Sequence, residues 1–282
     1  MSVPQIFDRK IIRRHRDRAA RHFPLYDFLQ KAIAERLVER FLDIDGRIPM
    51  RRILSVGDAL GHIEAKIISD AARTRQSDIE FWLKGDLSWP ILAQQRSKHI
   101  SPPPHWGQNY LQMDEEKLPF SGNNFSAIFS HLSLHWVNDL PGALIQYHRA
   151  LENNGIFLAA LWGENTLSTL REAFIRAEWE EYGGAAPRFS PALDGRDMAQ
   201  MMVRAGFSVP VVDRECLNIS YRSLLSALQD LRAMAENNAL RQHPPRPLTR
   251  RILERVAEFY PKDADGRMTI TMEVILLTGW RI

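Results

Sequence analysis

Residues 113–139, MDEEKLPFSGNNFSAIFSHLSLHWVND, restrict the fold more than any other part of the chain. Three acids open the stretch, Leu118-Pro119-Phe120 turns it, and Gly122-Asn123-Asn124 forms a loop before an apolar strand at residues 125–129. The strand runs out into a polar and aromatic cluster, Ser130-His131-Leu132-Ser133-Leu134-His135-Trp136. Asn138 and Asp139 then offer side-chain acceptors to a new helix, with Pro141 in a first turn that has no use for its missing N–H. An acidic loop, a buried strand and a polar strand end, in that order, are how an open α/β sheet builds a ligand crevice at the carboxyl ends of its strands.

The rest of the chain alternates in the same sense. Phe28, Leu29, Ile33, Leu37, Val38 and Phe41 recur at spacings of three and four and give residues 11–41 one or two helices with a core-seeking face. A loop at 43–49 leads to a short apolar strand at 52–56. A second strand is expected at 78–84 and a third at 106–111, with an exposed loop at Pro102-Pro103-Pro104. A helix at 142–151, capped by Asn153-Asn154-Gly155, precedes a doubly buried strand at 156–162. Helices at 163–181 and 197–205 follow, then strands at 209–213 and 215–220, helices at 221–237 and 248–260 around a break at 243–247, and a last strand at 268–280. This pattern specifies an α/β fold with a mostly parallel sheet, helices on both faces and an antiparallel last strand. The helical pair at about 221–262 is an insertion before that strand that caps the crevice, within a domain spanning 49–282. Residues 1–48 form a separate N-terminal helical segment.

Gly57-Asp58-Ala59-Leu60-Gly61 follows the first strand and precedes a helix at 63–72. Backbone approaches a ligand closely in such a loop, and the helix N-terminus points at it. A Gly-x-x-x-Gly by itself also serves an ordinary strand-to-helix turn. Asp86 ends the second strand and doubles as a helix cap for the segment at Leu87. His131 and His135 are four apart, but no Glu accompanies them in a zinc-helix pattern and no third ligand is apparent, so no metal site is expected.

Composition narrows the class. Hydrophobic residues at 45% and charged residues at 25% are ordinary for a globular domain. No apolar run is long enough for a membrane-spanning helix. A single cysteine, Cys216, leaves no intramolecular disulfide, fits a reducing compartment and reads as a buried strand residue. Net charge is +3, yet residues 1–21 carry seven basic side chains against Asp8 and Asp17, a local +5 that leaves −2 for the remainder. Such a basic helix either docks on the domain or meets an acidic partner, an anionic surface or RNA. No specific nucleic-acid site is expected.

Asp114-x-x-x-Leu118-Pro119-Phe120 followed by a strand resembles the adenine-binding segment of class I S-adenosylmethionine (SAM) methyltransferases. The run SHLSLHWVNDLPGAL is similar, within that superfamily, to the complex I assembly factor 5 family, and the resemblance extends over nearly the whole chain. It implies a Rossmann-like sheet and SAM as cofactor. It also implies a loop of Ser55, Gly57, Ala59 and Gly61 around the cofactor, with Asp86 accepting from the ribose and Asp114, beside Glu115, from adenine. Ala59 replaces the family's middle glycine and Ser55 its acid. The resemblance places Ser130, His135 and Trp136 beside the sulfonium and the acceptor, and makes the basic N-terminal helix a lid. It further implies a protein acceptor or assembly partner among complex I subunits, with arginine hydroxylation in that family, in a bacterial cytoplasm or the mitochondrial matrix. Two alternatives remain: O-methylation of a carrier-protein-bound acid, and a non-catalytic scaffold with a degenerate loop.

Overall fold

The computed structural model describes residues 4–44, 50–70, 73–74, 76–97, 102–191, 193–241 and 247–282. In chain order the elements are α1 (Arg9–Ala19), α2 (Phe28–Asp43), β1 (Arg52–Val56), α3 (His62–Ser69), β2 (Phe81–Asp86), α4 (Trp89–Ser97) and β3 (Gly107–Gln112). There follow β4 (Phe125–His131), α5 (Leu140–Ala150), β5 (Leu151–Trp162), α6 (Ser168–Tyr182) and α7 (Gly195–Ala205). The chain closes with β6 (Ser208–Tyr221), α8 (Leu224–Ala233), α9 (Arg250–Phe259) and β7 (Met268–Arg281).

The strands form one sheet in the order β3-β2-β1-β4-β5-β7-β6. The first five are parallel, and β7 runs antiparallel to both of its neighbours. Strand order reverses between β1 and β4, which is where α/β sheets open a crevice. Register makes that crevice specific. Val56 pairs with Gly85 on one side and with Ser130 on the other, so Gly57, Asp86 and His131 stand side by side at the carboxyl ends of β1, β2 and β4.

Both faces of the sheet are covered. Ala127 and Phe129 of β4 face the layer holding Ile33, Leu37, Val38 and Phe41 of α2, while Ile128 faces Leu144 of α5 and Met202 of α7. This alternation follows from the two-residue period of a strand. Burying each large apolar side chain contributes about 1.5–3 kcal/mol, and Phe129 also meets Phe41 edge-on at 5.5 Å. The α2 helix is therefore part of the core layer. By contrast, α1 lies across the carboxyl edge, where Asp8 caps its first turn by accepting from the backbone N–H groups of Lys10 and Ile11.

Four local expectations are corrected. β2 starts at Phe81 rather than at 78, because Gln76–Asp78 forms a 3-10 turn and the N–H groups of Glu80 and Phe81 both reach the Arg51 carbonyl. Asn153-Asn154-Gly155 is not a helix cap. The α5 helix closes on Leu151, which already pairs with Phe125, and the Asn-Asn-Gly run lies inside β5. The two strands expected at 209–220 are one, β6, with Arg214 continuing the pairing to Ile275 and the irregularity falling earlier, between Ser208 and Val211. Cys216 is exposed, not buried, because β6 is an edge strand with an outward face. Part of the expected loop at 43–49 and of the break at 243–247 lies outside the described residues.

Candidate functional site

The loop after β1 is shaped by its glycines. Gly57 has φ +76°, and a Cβ there would stand 2.5 Å from the His131 carbonyl oxygen, so only glycine lets the loop lie against the end of β4. The Asp58 carboxylate accepts from the N–H groups of His62 (2.9 Å) and Ile63 (3.1 Å) and so caps α3. Burial raises its pKa to about 7 despite those two donors. Ala59 and Leu60 are buried against Ala19, Ala20 and Phe23 of the N-terminal segment. The Ser55 hydroxyl accepts from the indole N–H of Trp82 at 3.0 Å, inside the core.

Asp86 and Asp114 each face a guanidinium from α1. Arg16 grips both oxygens of Asp86, with Nε 3.0 Å from Oδ1 and Nη2 on Oδ2, and the N–H of Ser88 adds a bond of 2.8 Å. Arg9 Nη2 lies 2.7 Å from Asp114 and 2.9 Å from the buried Glu115, while its Nη1 donates to the Trp136 carbonyl at 3.1 Å. Burial alone would lower the pKa of both arginines, but Glu115 and Asp114 hold Arg9, and Asp86 holds Arg16, above the ordinary value. Burial also raises Glu115, against the pull of Arg9. Sequence reasoning counted both arginines only as members of a basic run. The available signal was their spacing: Arg9, Ile12, Arg16 and Ala19 recur at three and four, one face of a helix.

Of the residues expected at the acceptor side, Ser130 is wholly buried, with its hydroxyl 3.2 Å from that of Ser133. His135 places Nε2 3.3 Å from the Glu236 carboxylate. Trp136 packs edge-on against Phe7 at 5.4 Å and lies 5.2 Å from the His135 ring. His131 is fully buried, and burial, then the nearby His62, lowers its pKa to about 3. No group of three or more His, Cys, Asp or Glu suited to a metal occurs among the described residues.

His135 and Trp136 line a cavity of about 1000 Å³ that also touches α1, α6 and α8. One helix thus serves two spaces. Arg9 and Arg16 of α1 face the crevice acids, while His15, Arg18 and Ala19 of the same helix line the cavity.

Residues 80–159 match a family model described as a methyltransferase domain. Over 281 residues the chain is 31% identical to "Arginine-hydroxylase NDUFAF5, mitochondrial" of Danio rerio, covering 98% of this chain and 83% of that protein. The chain belongs to the class I SAM methyltransferase superfamily. It is also 31% identical, over 98% of its own length and 89% of the relative's, to a malonyl-[acyl-carrier protein] O-methyltransferase of Halorhodospira halophila. Its fold matches that of a Haemonchus contortus phosphoethanolamine N-methyltransferase bound to S-adenosylhomocysteine, with a TM-score of 0.56 at 14% identity, over 96% of this chain and 60% of that one.

SAM is the cofactor of this superfamily, and the chemistry of the donor set suits it. Two carboxylates, Asp86 at the end of β2 and Asp114 just beyond β3, could accept from hydroxyl and amino groups, and the backbone is bare at Gly57. In this conformation the donors those carboxylates receive come from Arg16 and Arg9. The methyl of Ala59 is packed beneath the N-terminal segment. Among the described residues, no helix is long and apolar enough to cross a membrane.

Proposed function

We propose that this chain is a SAM-dependent enzyme that modifies a protein acceptor in the assembly of respiratory complex I, in a bacterial cytoplasm or the mitochondrial matrix. The crevice at the ends of β1, β2 and β4 holds the cofactor, and the cavity beyond His135 and Trp136 receives the acceptor. The observation that carries the reading is the adjacency of these two spaces. Trp136 lines the cavity, while its carbonyl accepts from Arg9, which is bound in turn to Asp114.

Asp86 and Asp114 would hold the ribose and adenine ends, with Gly57 and Gly61 giving backbone access and Ala59, Ser55 and Glu115 framing the pocket. Bound SAM would supply an electrophilic methyl group. The chain's own part is to position the acceptor and exclude water. His135, whose Nε2 meets the Glu236 carboxylate, is the candidate base for an acceptor that must lose a proton, which requires the ring to turn its buried Nδ1 towards the cavity. Trp136 walls the site, and Ser130 braces Ser133 beneath the loop. O-methylation of an acid is a second reading, favoured by the cationic lining of the cavity.

Calorimetric titration with SAM and S-adenosylhomocysteine tests the proposal. Micromolar or tighter binding that is lost in Asp114→Ala supports it. No heat and no thermal shift would leave a scaffold built on this fold.

A further inference from the structure

The two ends of the crevice differ in what they offer a ligand. The sheet order β3-β2-β1-β4 puts Asp114, just past β3, and Asp86, at the end of β2, on one side, and the ends of β1 and β4 on the other. The first side carries two carboxylates. On the second side the polar groups are committed to the fold. Asp58, in the loop after β1, gives both oxygens to the N–H groups of His62 and Ile63. The Ser55 hydroxyl accepts from Trp82 inside the core, and Ala59 and Leu60 close against Ala19, Ala20 and Phe23. At the end of β4 the hydroxyls of Ser130 and Ser133 meet at 3.2 Å, and burial keeps His131 uncharged. Glu115 and Glu236, which both act on Arg16 from nearby, are themselves paired with Arg9 and His135.

We infer that the crevice recognises the adenosine half of its ligand alone, so that adenosines with a small neutral group in place of the amino-acid tail bind it as well as S-adenosylhomocysteine does. The inference rests on the proposed placement of adenine at Asp114 and ribose at Asp86. From there the rest of the ligand meets the ends of β1 and β4, the next strands in the sheet. The amino-acid tail is a zwitterion, and an ammonium and a carboxylate taken from water without partners lose affinity. A methylthio group is small and apolar, and suits the packing around Ala59 and Leu60. The bonds that hold adenosine, by contrast, run to charged acceptors and are of the stronger kind.

Calorimetric titration of the full chain with methylthioadenosine and with S-adenosylhomocysteine tests this. The two share the adenosine and the thioether sulfur and differ in the charged tail. The expected affinities differ by less than about tenfold, the least that one charge-assisted bond to the tail would give. Asp114→Ala should weaken both ligands by the same factor, with far-UV dichroism preserved. An advantage of about tenfold or more for S-adenosylhomocysteine would overturn the inference while leaving SAM as the cofactor. Disappearance of that advantage in Arg16→Ala would then name the guanidinium displaced from Asp86 as the anchor of the tail. No heat from either ligand would overturn the inference together with the placement on which it rests.

Discussion

Replacing Arg16 by Ala is the most informative single change. Arg16 bonds both oxygens of Asp86, a carboxylate 2% exposed whose other partner is the N–H of Ser88. Removing one member of such a buried pair strands the other charge and costs about 3–5 kcal/mol. That lies within the ~5–15 kcal/mol of an ordinary domain, so the fold should survive. The effect on the cofactor has the opposite sign. On the proposed assignment SAM must take Asp86 from Arg16, and forfeiting charge-assisted bonds worth about 1.5–3 kcal/mol weakens its binding to the native chain. Arg16→Ala should therefore bind SAM about 10- to 150-fold more tightly, while the unliganded protein melts at a lower temperature. Calorimetry and thermal melts with and without SAM read both quantities. The exposed Arg13→Ala, on the same helix, is the control. Unchanged or weaker SAM binding in Arg16→Ala would refute the competition and make Arg16 a support for the cofactor.

Asp114→Ala should weaken SAM by about 1–3 kcal/mol through loss of a charged acceptor, read by the same calorimetry; equal affinity would remove the adenine assignment. Gly57→Ala should cost more than about 2 kcal/mol in urea unfolding, because a left-handed residue gains a side chain 2.5 Å from a carbonyl oxygen. Two buried groups set opposing pH limbs. His131, lowered from 6.5 to about 3, contributes stability above pH 6.5 that is lost as pH falls towards 3. Asp58, raised from 3.8 to about 7, contributes stability below pH 3.8 that is lost as pH rises through 7. The unfolding free energy of Asp58→Asn relative to the native chain should thus climb by about 1.4 kcal/mol per pH unit between those values. A pH-independent difference would mean that Asp58 titrates normally.

What was legible in the sequence was whatever depends on neighbours along the chain. The apolar run before Ser130, the Gly57 turn and the cap at Asp139 are decided by local periodicity and backbone geometry, and each lies where the pattern places it. The errors came where a tertiary partner overrode a local signal. Asn153-Asn154-Gly155 reads as a helix stop, but pairing of β5 with β4 and β7 draws the run into a strand. Cys216 reads as core, but only the strand order shows that β6 has no neighbour on its outer side. The partners of Arg9 and Arg16 were hidden for the same reason. A basic helix has many solvated faces in sequence and one docked face in space, and the choice rests on where Asp86 and Asp114 end up. Those acids reach the same edge only because β2 lies beside β1 and the segment after β3 returns past the end of β2. Charge content was therefore readable at once, whereas its pairing follows from topology. That pairing is what makes α1 a wall shared by the crevice at the strand ends and the cavity beyond His135, so on the proposed reading a ligand that shifts the helix from one side should change binding on the other.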